Sequence, residues 1–173
     1  MSPLLLIVGL VAAMRLGELA YSARNARALK ERGAVELGAG HYPLIVALHA
    51  AWLLALLVLV PWDAAVHWSW LGAFLALQIL RVWTIGSLGR FWTARIYTLP
   101  AKPLVRRGPY RFVAHPNYLI VVGEIAALPL VFGAWRIALI FSILNAALLA
   151  WRIRIEERGL ASRRRLPESR RPA

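Results

Sequence analysis

Residues 118–151 read YLIVVGEIAALPLVFGAWRIALIFSILNAALLAW, which is two apolar runs joined by Gly133-Ala134. The run over residues 135–151 fits one bilayer crossing, because about 20 helical residues span the ~30 Å hydrocarbon core. The run over residues 118–132 is shorter. A glycine between two such runs favours a tight turn. The stretch therefore predicts a hairpin of two apolar helices.

Three more apolar runs precede this hairpin, at residues 3–23, 43–60 and 68–85. The chain is 60% hydrophobic, well above the roughly 45–50% of a soluble domain. The first run has no basic residue before it and no cleavage site after it, so we interpret it as a retained helix rather than a signal peptide. The sequence predicts an all-α integral membrane bundle of about five transmembrane helices.

The basic residues are confined to a few segments of the chain. Lys and Arg number 21 against 8 Asp and Glu, a net charge of +13. They follow the first and third runs and fill the tail, whereas residues 61–67 contain none. Since basic loops stay on the cytoplasmic side, the N-terminus is expected outside and the C-terminus in the cytoplasm. Apolar runs interrupt these charges, so we expect membrane lipids rather than nucleic acid as partners.

The sequence divides into three parts. Residues 1–87 contain the first three helices and a cytoplasmic loop at 24–42, and residues 88–160 form a C-terminal half with the hairpin. Residues 161–173 form a basic tail with little apolar content to bury, which predicts disorder. The chain has no cysteine, which excludes disulfides, thiolate catalysis and Cys-ligated metals. None of its histidines falls in an HxxH or HExxH pattern, so no metal site is predicted.

Polar groups converge on the start of the fourth helix, in the stretch RRGPYRFVAHPNY at residues 106–118. Gly108-Pro109 predicts a turn, and Pro116 can occupy the first position of a helix. His115 and Tyr118 are three residues apart and therefore share a face. The alternative is an ordinary interfacial belt, in which aromatic residues are common.

A second polar cluster, RIRIEE at residues 152–157, lies at the end of the fifth helix. Two adjacent carboxylates beside a bilayer need paired cations or a cationic ligand to offset their desolvation. Surface pairs with Arg152, Arg154 and Arg158 explain one carboxylate better than two.

Further charged residues lie within the apolar runs. Arg15 and Glu18 are three residues apart in the first helix, and they predict either a functional site or a mutual salt bridge. Two other sets are expected to be packing contacts between helices: Arg81 with Gln78, and Glu124 with Asn145.

The order GPYR, HPNY, apolar hairpin and RIxEE resembles the C-terminal half of the isoprenylcysteine carboxyl methyltransferase family of membrane enzymes, over residues 88–160. RLGELAYSARNAR at residues 15–27 and GAVELGAGHYPLIVALH at residues 33–49 resemble a small bacterial branch of this family. Members of that branch are associated with O-methylation of alkylpyrones and alkylresorcinols. The resemblance places the chain in a bacterial inner membrane.

The resemblance implies S-adenosylmethionine in a cytoplasmic pocket of the C-terminal half, below a cavity open to the membrane. It implies cofactor contacts for His115, Pro116, Asn117, Tyr118, Glu156 and Glu157. Catalytic roles are implied for Arg154, His115 and Arg111, the last because Ala114 stands where the family usually has arginine. Acceptor contacts are implied for Arg15, Glu18, Asn25, His41 and Tyr42. The tail also lacks the family's aromatic ending, which puts part of the cofactor lid in doubt.

The resulting prediction is an S-adenosylmethionine-dependent O-methyltransferase with a lipophilic acceptor in the membrane. A phenolic lipid, an alkylpyrone hydroxyl or an isoprenylcysteine-like carboxylate would each qualify as acceptor. Two alternatives stay open at this point: an NADPH-dependent reductase similar to membrane sterol reductases, and a membrane scaffold without catalytic activity. The sequence does not set the oligomeric state.

Overall fold

A computed structural model describes residues 2–99 and 106–164 of the chain, with side chains as far as residue 158. Its helices are α1 (Pro3–Glu31), α2 (Tyr42–Leu59), α3 (Trp68–Leu88), α4 (Pro116–Val131) and α5 (Trp135–Arg164). Four of these are long and apolar enough to cross a membrane, and α4 is a shorter apolar helix. The prediction of an all-α membrane bundle with about five helices is confirmed.

Prolines and a glycine set several helix boundaries. Pro3, Pro43 and Pro116 each lie in the first two positions of a helix, where a missing N–H costs nothing. Gly133 has φ 67° in the short turn between α4 and α5, a conformation that favours glycine. The predicted hairpin is therefore confirmed.

Two helices continue beyond their apolar runs. The loop predicted at residues 24–42 is helical as far as Glu31, because its first residues, RNARALKE, are mostly strong helix formers. Helix α5 continues to Arg164, four residues into the tail predicted to be disordered. The rest of that tail, residues 165–173, lies outside the described residues.

A small sheet, which the sequence analysis did not predict, lies outside the bundle. Strands β1 (Val35–Leu37) and β2 (Ile96–Thr98) pair antiparallel, with Glu36 opposite Tyr97. Short 3₁₀ turns flank the helices at Ala39–His41, Gly89–Phe91 and Gly108–Arg111. The sheet joins the loop after α1 to the loop after α3.

The bundle has two distinct ends. At the end that we call the polar end, α1, α3 and α5 finish and α2 and α4 begin. There the side-chain amide of Asn25 donates to the carbonyls of Gly89 and Trp92, at 3.1 and 2.8 Å. At the opposite end the backbone N–H of His67 donates to the carbonyl of Val131 at 2.8 Å. These bonds fix the loops of one helix against the ends of others.

Helix α4 is the most enclosed of the five and packs between α3 and α5. A Cβ at Gly123 would lie 2.9 Å from a methyl carbon of Leu77, so glycine permits the close approach of α4 to α3. All five helices contribute to the apolar core, with the side chains of Leu4, Val8, Trp52, Leu56, Phe74, Ile125, Leu128 and Ile137. Large apolar residues such as Val58, Ile79 and Val82 point outward, as expected for surfaces in contact with lipid.

Candidate cofactor and acceptor site

A glycine turn holds the chain before α4 against α3. Gly108 has φ 52°, and a Cβ there would collide with the side chain of Ser87 and lie 3.2 Å from Nε1 of Trp83. The left-handed φ favours glycine at this position, and any other residue would also have to displace the side chain of Ser87 on α3. The segment after this turn leads into α4, whose first residue, Pro116, is buried.

His115 and Tyr118 form the first part of the site. Their rings stack with centroids 5.2 Å apart and planes 9° apart. The three-residue spacing predicted a shared face, and the structure confirms this arrangement.

Helix α5 supplies a carboxylate to these two rings. The hydroxyl of Tyr118 donates to Oε2 of Glu156 at 2.5 Å, and the same oxygen lies 3.6 Å from Nδ1 of His115. Oε1 of Glu157 lies 4.0 Å from Nε2 of His115. The HPNY and EE motifs, separated along the chain by the hairpin, therefore meet at the polar end.

Arg152 completes this site, although the RIRIEE pattern predicts a surface position for it. The residue is 6% exposed, and its guanidinium donates to the hydroxyl of Tyr118 and to the carbonyl of Ala94, both at 2.7 Å. Nη1 lies 3.3 Å from Nε2 of His41, which must be the acceptor because a guanidinium only donates. Arg152 precedes Glu156 by four residues, the spacing that places two side chains on one helix face. That spacing could have identified it.

Two buried polar atoms of the site have no hydrogen-bond partner within residues 2–99 and 106–164: Nε2 of His115 and Oδ1 of Asn117. Buried polar atoms are nearly always paired in folded proteins, so each of these needs a ligand or water. We call His115, Asn117, Tyr118, Arg152 and Glu156 the α4–α5 cluster.

The two arginines for which the resemblance implies catalytic roles lie away from the α4–α5 cluster. Arg111 and Arg154 are exposed, and in the described part of the chain neither forms a hydrogen bond or ion pair with the α4–α5 cluster. Because successive residues of a helix are rotated by about 100°, Arg154 lies about 200° around α5 from Arg152, on the opposite face of the helix. Their catalytic roles stay predictions, while Arg152 is the arginine that the structure places at the cluster.

Tyr110, in the turn before α4, is close enough to the cluster for the charge of Glu156 to affect it. Burial and the negative charge of Glu156 both raise the pKa of Tyr110, so its hydroxyl stays protonated at neutral pH. A protonated phenol of this kind is able to donate a hydrogen bond.

A second polar cluster lies among the apolar residues of α1, α3 and α4. Arg81 makes two hydrogen bonds to Glu18, both of 2.7 Å, and one of 2.8 Å to Glu124. Arg15 bonds Glu18 at 2.9 Å and Glu124 at 3.3 Å. Gln78 donates to Glu124 at 2.7 Å and accepts from Arg15 at 2.9 Å. We call these five residues the intramembrane charge cluster; its two cations and two anions cancel.

This cluster changes two expectations. The predicted Arg15–Glu18 pair is present, but it is part of a network that joins three helices, which is what a structural role requires. Glu124 contacts the arginines and Gln78 instead of the expected Asn145, whose Nδ2 has no partner among the described residues. The acceptor roles of Arg15 and Glu18 stay predictions.

The remaining predicted acceptor residues lie at the polar end. The amide of Asn25 is engaged by backbone carbonyls, and His41 is buried against Arg152. The guanidinium of Arg95 lies 4.4 Å from the ring centroid of Tyr42. The structure therefore brings His41 next to the α4–α5 cluster and places Tyr42 beside β2.

Comparison with known proteins gives the same assignment as the motifs. The profile of the isoprenylcysteine carboxyl methyltransferase (ICMT) family matches residues 70–162, which include the whole α4–α5 cluster. The uncharacterized protein YpbQ of Bacillus subtilis is 38% identical over 160 residues, covering 90% of this chain and 95% of its own length. An uncharacterized protein of Haemophilus influenzae is 28% identical over 156 residues, covering 87% and 91%. No solved structure matches. On this evidence the chain belongs to the isoprenylcysteine carboxyl methyltransferase family.

Proposed function

We propose that this chain is an S-adenosylmethionine-dependent O-methyltransferase whose acceptor is a lipophilic molecule in the bilayer. Family membership and the apolar helices point to an integral membrane methyltransferase. One observation carries the finer proposal: within the described residues, Nε2 of His115 and Oδ1 of Asn117 are buried without hydrogen-bond partners, and Nδ1 of the same His115 lies 3.6 Å from the carboxylate of Glu156. Buried polar atoms without a protein partner need a ligand or water, and here two of them lie within one cluster of charged and aromatic side chains.

The residues of the cluster fit S-adenosylmethionine by their chemistry. Its sulfonium and ammonium groups are cations, which the carboxylates of Glu156 and Glu157 would hold by charge-assisted contacts. The amide oxygen of Asn117 would accept a hydrogen bond from an amino or hydroxyl group. When bound, the cofactor supplies an electrophilic methyl group. Arg152 would act indirectly, because it fixes the hydroxyl of Tyr118 beside Glu156.

The main task of the protein in such a reaction would be to align the acceptor oxygen with the methyl group. With the cofactor bound, the acceptor oxyanion would take the methyl group from the sulfonium, which would leave as a neutral thioether, so the two opposite charges would neutralise each other. Holding the two groups in line is the main contribution required of the protein.

The need for a base depends on the acceptor. A carboxylate or acidic enol is already ionised at pH 7, whereas a phenol with a pKa near 10 must lose a proton. His115 is our candidate base, because its Nε2 accepts and donates no hydrogen bond within the described residues. His41 is less suited, since its Nε2 accepts from Arg152.

We further propose that the polar end faces the cytoplasm of a bacterial inner membrane. The support is the distribution of Lys and Arg, and both relatives reported above are bacterial. Because the chain has no cysteine, single-cysteine variants test this directly. In intact spheroplasts, Asp63→Cys should react with an impermeant maleimide, whereas Arg32→Cys should react only after lysis. The reverse pattern would overturn the orientation.

Methyl transfer tests the activity. Protein in nanodiscs receives S-adenosylmethionine with a tritiated methyl group and one of three acceptors: an alkylresorcinol, an alkylpyrone or an isoprenylcysteine analogue. We expect tritium in the organic extract with at least one acceptor, and much less with His115→Ala than with the exposed control Glu31→Gln. Binding of NADPH without binding of S-adenosylmethionine would favour a reductase and contradict the proposal.

A further inference from the structure

A basic cavity lies at the polar end, between α1 and the two-stranded sheet, outside the α4–α5 cluster. It has a volume of about 290 Å³ and is lined on its charged side by Arg27, Lys30 and Arg95. Tyr42 and Tyr97 form its aromatic wall, and Leu19, Ser22, Ala23 and Ala26 of α1 form the rest. This volume is far larger than the roughly 30 Å³ that one water molecule takes up, so the cavity has room for more than a single small ion.

The charges around the basic cavity do not cancel. One carboxylate, Glu36, accepts from Arg95 at 2.7 Å and lies 3.9 Å from Nζ of Lys30. Burial opposes its ionisation, but the hydrogen bonds from Arg95 and Tyr97 outweigh this and lower the pKa of Glu36, so it is charged at neutral pH. Three cations therefore face one anion, and Arg27 has no ion-pair partner within the described residues. The excess positive charge favours an anion.

The aromatic wall supplies a neutral hydroxyl. Burial and the hydrogen bond to Glu36 raise the pKa of Tyr97 to about 12, so its hydroxyl keeps its proton. Arg95 and Lys30 are both oriented by contacts with this wall, Arg95 over the ring of Tyr42 and Lys30 5.8 Å from the centroid of Tyr97. Two of the three cations therefore contact the aromatic wall, with their side chains partly exposed.

The apolar side of the basic cavity follows α1 toward the centre of the bundle. Leu19, Ala23 and Ala26 are spaced by four and three residues and so form one strip of the helix surface. Two of the three are alanines, which leaves room beside the helix for a chain. An anion with an attached hydrocarbon chain would therefore satisfy both sides of the cavity.

We propose that the basic cavity binds the anionic head, a phosphate or carboxylate, of a chain-bearing amphiphile whose chain lies along the Leu19–Ala23–Ala26 strip. This site is distinct from the α4–α5 cluster, although the two share a wall. The backbone of Ala94 donates to Ser22 in the cavity and accepts from Arg152 in the cluster. The inference does not depend on the proposed methyl transfer.

Binding of labelled lipids tests the proposal. The probe is phosphatidylglycerol with a dansyl group on its acyl chain, added to the protein in neutral detergent and followed by energy transfer from tryptophan. Phosphatidylcholine with the same label is the neutral comparison. We expect the wild type to bind the anionic lipid more tightly than the neutral one, and equal affinities would overturn the proposal.

A pair of double variants makes the test specific. Arg27→Gln with Lys30→Gln removes two cations of the basic cavity, and Arg24→Gln with Arg32→Gln removes two cations at the same end of α1 that do not line it. Since a cation that lies against an anionic head strengthens its binding about fivefold, loss of the two cavity cations should weaken binding roughly 30-fold. The control pair should change it less than about twofold. Equal losses in both pairs, or no loss in the first, would overturn the proposal.

A third variant covers the case in which the first double variant fails to fold. Ala23→Trp keeps every cation but fills the apolar side, and it should also weaken binding of the anionic lipid. Unchanged binding would show that no chain lies on α1. Dodecyl phosphate should displace the probe at far lower concentration than inorganic phosphate does, and equal potency would overturn the chain's role.

The source of the amphiphile is then distinguished. A bound molecule extracted unmodified after incubation with tritiated S-adenosylmethionine would be a structural lipid, and a methylated one would be the acceptor held by its ionised head. Either result supports the site. The protein is also purified in its native membrane lipids and extracted. Absence of any anionic amphiphile from that extract would contradict the proposed site.

Discussion

The intramembrane charge cluster and the α4–α5 cluster are built from the same kinds of side chain, arginines and glutamates with polar neighbours. In the first, every charged group is bonded to another member, and the two cations and two anions balance. In the second, Nε2 of His115 and Oδ1 of Asn117 are buried without partners in the part of the chain that the structure describes.

This difference indicates a structural role for the intramembrane charge cluster and a ligand-binding role for the α4–α5 cluster. A charge in a bilayer is costly unless it is paired, so a closed and neutral network can hold α1, α3 and α4 together. A cluster that leaves buried polar atoms without partners is suited to a ligand instead. The contrast predicts that damage to the first cluster unfolds the protein, whereas damage to the second removes function first.

The largest effect is expected in the intramembrane charge cluster. Arg81→Met leaves Glu18 and Glu124 without their main cation and should destabilise the protein by about 3–5 kcal/mol. The measurement is the unfolding midpoint in detergent, with recovery of monodisperse protein as a second readout. Arg81→Met combined with Glu18→Leu restores neutrality and should be less destabilised than the single variant. A single variant as stable as wild type would contradict a structural role.

A smaller effect on stability but a large effect on rate is expected at His115. His115→Ala removes a side chain that is in contact with Tyr118 and Glu156 but makes no hydrogen bond of its own in the described residues. Methyl transfer should fall on the order of 100-fold, as for loss of a general base, with little change in the unfolding midpoint. Collapse of stability with full specific activity in the remaining folded fraction would make His115 a structural residue.

The smallest effect concerns the sheet beside the basic cavity. The pKa of Glu36 is lowered in the folded protein, so its stabilisation is present above the ordinary value of 4.5 and is lost as the pH falls through the folded-state value. The partly exposed pair with Arg95 is worth under about 1 kcal/mol. The unfolding midpoint of wild type should therefore fall slightly more than that of Glu36→Gln below pH 4.5. Parallel curves would show that the pair is not stabilising.

The helices were predictable because a bilayer-spanning segment can be recognised in the sequence by its length and its apolar composition. The hairpin and the convergence of HPNY with EE also followed from the sequence, through apolar runs, a turn glycine and the resemblance. Strands β1 and β2 were not predictable, because three residues are too few for an alternating pattern and nothing local pairs Glu36 with Tyr97.

The partners within each cluster were harder to predict than the clusters themselves. Sequence identifies Glu124 as an intramembrane charge, but the rotation of each helix decides whether it meets Arg81 or Asn145, and that depends on packing. The choice between Arg152 and Arg154 was different. Helical spacing relative to Glu156 favours Arg152, and the emphasis on Arg154 came from the resemblance instead.

The central claim is that the α4–α5 cluster binds S-adenosylmethionine, and equilibrium binding to the purified protein tests it most directly. Glu156→Gln removes the carboxylate that meets Tyr118 and His115, while Glu31→Gln makes the same change at an exposed position on α1. Loss of a buried charged contact costs on the order of 2–5 kcal/mol, so Glu156→Gln should bind at least roughly 30-fold more weakly while staying folded. Glu31→Gln should bind as wild type does. Equal affinity in all three proteins, or no binding by the wild type, would contradict the account.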